Sequence, residues 1–96
     1  MDNENKTKEI ALKVYDAVFG NRDQVEIRGD SFKVTKTSQL RLRVVKVGNY
    51  TFLEQNPEKD SVWGKMAHEG HKILWVLEDD DYIAQVRDGA YHSWNK

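Results

Sequence analysis

At 96 residues, with 39% apolar and 32% charged side chains, the chain reads as one domain, 1–96, able to bury roughly 60 to 65% of its unfolded surface without covalent staples. The absence of cysteine excludes a disulfide framework and thiolate metal sites, and the net charge of −1 excludes long-range steering toward a polyanion. No apolar run approaches the roughly 20 residues of a membrane helix, and the polar opening MDNENKTKE lacks the apolar core of a signal peptide, so a cytoplasmic protein with no membrane partner is expected.

Residues 1–5 are polar and expected to be disordered. From Thr7 to Phe19 the pattern turns helical: Ile10, Ala11, Val14, Ala17 and Val18 share one stripe, and Gly20-Asn21 ends it. Two strands follow, Gln24 to Arg28 and Ser31 to Lys36, around Gly29-Asp30, a two-residue turn opening with glycine. Pairing across that turn sets Ile27 beside Phe32 and Val25 beside Val34 on one face, with Glu26 beside Lys33 on the other.

The third strand spans Gln39 to Val47. A three-residue loop, Lys36 to Ser38, places Leu40 by Val34 and Leu42 by Phe32. Gly48-Asn49 then turns the chain into a fourth strand, Tyr50 to Gln55, pairing Val47 with Tyr50, Val45 with Phe52, Arg43 with Glu54 and Val44 with Leu53. Asn56-Pro57 closes that strand, because proline cannot donate to a ladder. A helix of two to three turns follows, capped by Asp60 or Ser61 and stopped at Gly70, and its order must come from packing Trp63 and Met66 on a sheet.

Ile73 to Leu77 is apolar on both parities, as in a strand covered on both faces. After the acidic turn Asp79-Asp80-Asp81, Tyr82 to Arg87 returns as a strand, and Asp88-Gly89 leads into Ala90 to Trp94, with His92 facing Gln85. The fold class is therefore α+β, an antiparallel-dominated sheet of six to seven strands in the order α-β-β-β-β-α-β-β-β. The first helix is expected on one face and the second over an edge or the other face. A parallel pairing of Tyr50–Gln55 with Ile73–Leu77 stays open, and it would require a right-handed crossover.

Charge is unevenly spread: residues 24–56 sum to +3 and residues 57–96 to −3. The basic excess holds Arg28, Lys33, Lys36, Arg41, Arg43 and Lys46, and the expected registers put Lys33, Arg41 and Arg43 on one sheet face with Lys36 at its loop. Cations beside aromatic rings are how single-stranded nucleic acid is commonly held, so RNA or DNA is the leading partner, with Lys33, Lys36, Arg41 and Arg43 as its contacts. The same face becomes apolar through Val45, Val47, Tyr50 and Phe52. That end needs a cover: the second helix, the last hairpin, a second subunit or a ligand; the alternative partner to nucleic acid is a protein or a second copy seated there.

A third reading places a small-ligand or enzyme site near Glu54, for which a deep pocket by Glu54, Trp63 and His71 would speak. No GxSxG, phosphate loop or cysteine nucleophile is present, and no cofactor is implied. His68, His71 and His92 form no metal-ligand pattern, since a glycine stop separates the first two. Arg28-Gly29-Asp30 spells an adhesion tripeptide, which the hairpin explains. The reading adopted from sequence is a non-enzymatic binding module.

Overall fold

The computed structural model describes residues 2–27, 29–36 and 42–94. Its first element, α1 (Asp2–Phe19), begins within the stretch expected to be disordered. The buried stripe is Thr7, Ala11, Val14, Ala17 and Val18, spaced by three and four residues, so one helical face meets the core. Ile10, Tyr15 and Phe19 flank it, half-buried, with the Tyr15 and Phe19 rings 4.8 Å apart. The helix ends where Asn21 takes a left-handed φ of 59° and the Arg22 N–H reaches back to the Ala17 carbonyl at 2.9 Å.

Next, β1 (Gln24–Ile27) and β2 (Asp30–Lys33) form a separate two-stranded sheet. Val25 pairs with Phe32 and Ile27 with Asp30, a slip of two residues from the expected register. The two-residue turn therefore falls between Ile27 and Asp30, with Gly29 at φ 85° supplying a positive φ there. Because the slip is even, every side chain keeps its expected face.

The stretch read as one strand from Ser31 to Lys36 changes partner after Val34, whose N–H still reaches the Asp23 carbonyl at 2.8 Å in continuation of the β1–β2 register. Beyond that point, β3 (Thr35–Lys36) pairs with β4 (Arg43–Val47), Thr35 opposite Val44 and Lys36 opposite Arg43. The tight loop expected at Lys36 to Ser38 is thus replaced by a longer connection, and Leu40 falls outside the described residues.

From β4 the main sheet continues in sequence order through β5 (Tyr50–Glu54), β6 (Ile73–Glu78), β7 (Asp81–Arg87) and β8 (Ala90–Ser93). The β4–β5 register is the expected one, Val47 with Tyr50, Val45 with Phe52 and Val44 with Leu53. β5 and β6 pair antiparallel, Tyr50 opposite Glu78, so the parallel crossover left open by the sequence does not form. The reason is local: the Gln55 N–H bonds the Ile73 carbonyl at 2.9 Å, so the connection through the second helix, α2 (Val62–His68), leaves and re-enters at the same end of the sheet. Between β6 and β7 the register shifts: Leu77 faces Tyr82, yet Val76 faces Ala84, leaving Ile83 as an extra residue. β7 and β8 pair with His92 opposite Gln85, as the Asp88-Gly89 turn predicts.

The α+β architecture is thus two helices on antiparallel sheets, in which the expected second strand is divided into β2 and β3. α1 covers one face of the main sheet, burying Val45, Phe52, Leu74, Val76, Ala84 and Val86. α2 lies on the opposite face, where Ile73, Trp75 and Leu77 are buried against Leu53, Trp63 and Met66. β6 is buried along five of its six residues because it feeds both cores. No helix among the described residues is long and apolar enough to cross a membrane.

Candidate functional site

α2 is seven residues long and is anchored at its start. Ser61 is the N-cap, its Oγ accepting the Gly64 N–H at 3.0 Å. Gly64 is buried against the preceding loop: a Cβ there would stand 1.9 Å from the Lys59 carbonyl oxygen, so only glycine admits this approach. At the other end Gly70, at φ 107°, lets the His71 N–H return to the Met66 carbonyl at 3.0 Å. These restraints fix the Trp63 ring over β6.

All three tryptophans meet on this face, with Trp75 of β6 at the centre. Trp63 approaches it edge-on at 5.6 Å and 86°, Tyr82 at 5.2 Å and 89°, and Trp94 at 5.8 Å and 64°. Such tilted contacts are the favoured geometry of aromatic pairs. The Trp75 indole N–H donates to Gln55 Oε1, and the Gln55 amide in turn donates to the Asn56 carbonyl at 2.9 Å. Trp94 is held by its own indole N–H, which reaches the Tyr82 carbonyl at 3.2 Å. Arg87 lies over the outer side of the Trp63 ring, 5.3 Å from its centroid.

The rings wall an open cleft of about 490 Å³. Leu42, Leu53 and Trp75 give it an apolar part, Trp63 and Tyr82 rise beside it, and Glu54, Asn56, Lys59 and Ser61 supply polar groups. A second depression, of about 380 Å³, lies beyond Tyr82 and is lined by Trp94, Ile83, Glu78, Asp79 and Asp81. Tyr82 is the wall common to both, and it and Trp94 are 52% and 50% exposed despite their size. Gln85 lies on the same face between Trp75 and His92, 1% exposed, and its amide nitrogen has no hydrogen-bond partner among the described residues.

Glu54 stands at the margin of this cleft and of a smaller pocket that also touches His71. Burial raises its carboxyl above the ordinary range, against the lowering effects of the Arg43 backbone N–H, 3.1 Å from Oε1, and of the Arg43 and Lys36 charges. His71 is turned instead toward Asp88, with Nδ1 2.8 Å from Oδ2. The Lys72 N–H on the Asp88 carboxylate, and then the His71 ring, hold Asp88 below the usual range. Glu54 and His71 thus border one small pocket, each engaged with a different partner. His68 and His92 sit on other elements, and among the described residues no three His, Asp or Glu side chains gather as metal ligands.

The residues singled out from sequence are distributed otherwise than expected. Lys33 is exposed on the small hairpin, while Lys36 is exposed on the edge strand of the main sheet, so the two do not share a sheet. Arg43 is committed to the end of α1: its guanidinium donates to the Val18 carbonyl and to Asn21 Oδ1, the role of a C-terminal cap. Arg28 and Arg41 fall outside the described residues. Val45 and Phe52, at 1% and 0% exposure, are sealed beneath α1, a cover absent from those the sequence reading offered. Val47 and Tyr50 are half-buried at the same margin, beside an opening of about 310 Å³ toward the hairpin, and the Thr7 hydroxyl donates to the Tyr50 oxygen at 3.4 Å.

The tryptophan cluster was not visible in the sequence reading. Its signal was parity: Trp75 shares a face with Ile73 and Leu77, and Leu53 lies across from it. Searches against family models, curated proteins and solved structures find no match for the chain.

Proposed function

We propose that the chain is a non-enzymatic interaction module that seats an extended segment of a partner protein on the α2-side face of its sheet. The observation that carries this reading is the convergence of Trp63, Trp75 and Tyr82 on a cleft that the second helix leaves open, with Trp94 packed on Trp75 and bordering the neighbouring depression. Rigid aromatic walls offer large contact area at little cost in side-chain entropy, which is why Trp and Tyr dominate interaction hot spots. The cleft and the second depression adjoin at Tyr82, so the surface is elongated and suits a chain more than a compact small molecule. β8 lies at the sheet's edge beside it, where a segment can add main-chain hydrogen bonds. The lack of cysteine goes with a cytoplasmic setting.

Nucleic acid is the alternative partner. It has the exposed cations Lys33 and Lys36 in its favour, but the exposed rings stand beside carboxylates, which repel phosphate. The three indole N–H groups are built-in reporters for a nitrogen-15 NMR titration. A mixture of random-sequence peptides should move the Trp63 and Trp75 indole resonances, and Trp63→Ala should remove the response while the protein stays folded. Short single-stranded RNA and DNA should leave the indoles in place. Salt-sensitive binding of the oligonucleotides with silent peptides would reverse the assignment.

A further inference from the structure

Tyr82 and Trp94 keep half their surface in water, although each has an apolar ring and both are fixed, one against Trp75 and the other by a hydrogen bond to backbone. The depression they border carries Glu78, Asp79 and Asp81 on its other sides. The Asn49 amide reaches Glu78 and Asp79 at 3.5 and 3.4 Å, but among the described residues no lysine or arginine forms an ion pair with any of these three carboxylates, so no described cation balances their charge. An apolar side chain entering here would leave that charge unmatched, and a phosphate or carboxylate would oppose it. A cation satisfies both surfaces, the ring faces through their quadrupoles and the carboxylates by direct attraction.

We infer that this depression is a subsite for a cationic side chain of the partner, arginine above lysine, seated between Tyr82 and Trp94 with Glu78, Asp79 and Asp81 at its rim. The inference rests on the interaction reading above and names the chemistry of its partner. Arginine is the better fit because its planar, weakly hydrated guanidinium stacks on a ring while its N–H fork reaches a carboxylate. The neighbouring cleft, with Leu53 and Trp63, takes an apolar residue of the same segment.

The test uses the whole protein and two blocked peptides, Ala-Leu-Arg-Leu-Ala and its counterpart with citrulline in place of arginine, which keeps shape and loses charge. The arginine peptide should move the Trp94 indole resonance and bind roughly fivefold or more tighter than the citrulline peptide. The double substitution Asp79→Asn with Asp81→Asn should abolish that difference. It is compatible with folding, since Asp79 has a φ of 50°, a conformation asparagine adopts readily, and Asp81 is exposed. Equal binding of the two peptides, or a preference for arginine that survives the double substitution, overturns the cation subsite while leaving the interaction reading intact. If neither peptide moves an indole but the random mixture does, the subsite again falls alone; if the mixture is silent too, both readings fall.

Discussion

The two faces of the main sheet are built from the same strands and end up in opposite conditions. β6 sends Leu74 and Val76 to one side and Ile73, Trp75 and Leu77 to the other, yet the first side is sealed and the second holds an open cleft. The difference lies in the covering helix. An 18-residue helix is about 27 Å long and a sheet of six strands is about 24 Å wide, so α1 reaches across and touches β5, β7 and β8. At seven residues α2 is only about 10 Å long. It covers the middle of its face and leaves the margins to aromatic rings. A short cover, held in place by one cap and two glycines, is thus how a small domain keeps part of a sheet accessible without giving up its core.

The contrast can be broken most severely on the sealed side. Phe52→Ala should cost about 3 to 5 kcal/mol, since a fully buried ring is removed from beneath α1 and the alanines above cannot collapse into the space; urea denaturation measures it. On the open side the largest effect belongs to Gly64. Gly64→Ala drives a methyl group into the Lys59 carbonyl and should cost about 1 to 3 kcal/mol, with the Trp63 and Trp75 indole resonances displaced and the methyl resonances of Val14 and Val45 unmoved. Denaturation and NMR spectra of the one variant separate these outcomes, and displaced Val14 and Val45 signals would show that the faces are not independent.

The smallest effect sharpens the comparison at Glu54, which touches both sides. Burial raises its folded-state pKa, so its contribution to stability is present below the unfolded pKa and is lost as pH rises through the folded value. The charged carboxylate is therefore a cost at neutral pH. Glu54→Gln, which keeps an acceptor for the Arg43 N–H, should raise the melting temperature slightly at pH 7 and leave it unchanged near pH 4. A lower melting temperature at pH 7 would mean that the Arg43 and Lys36 charges outweigh burial.

Where turn chemistry and parity agreed, the sequence was readable. Gly48-Asn49 and Asp88-Gly89 placed β4 on β5 and β7 on β8 in their observed registers, and Ser61 and Gly70 bounded α2. The division at Val34 was hidden because Val34 still bonds Asp23 beside β1 while Thr35 and Lys36 pair with β4, and no local pattern marks that change of partner strand. Losing that continuity separated Lys33 from Lys36 and removed the continuous basic row. The ring cluster was hidden by the bulge at Ile83. Counting back from the Asp79-Asp80 turn without it leaves Tyr82 opposite Leu77, on the Trp75 side, but sets Trp75 opposite Ala84 and turns Gln85 toward α1; the extra residue reverses the parity beyond Ile83 and brings Gln85, and with it Trp94 after β8, to the same side as Trp75. Tyr50 and Phe52 were recognised as an aromatic surface, but sequence alone did not reveal that α1 covers them.

The tie between Arg43 and the end of α1 has a consequence for synthesis. α1 precedes every strand in the chain, yet its apolar stripe is satisfied by Val76, Ala84 and Val86 and its last turn by Arg43, 25 residues beyond Val18. The helix can meet β1 as soon as the first hairpin emerges, but its seat on the main sheet is complete only after β7 and β8 have followed, so that docking is a late event with non-local closure. A nascent chain halted before β7 is, for that reason, the form of this protein most in need of a chaperone.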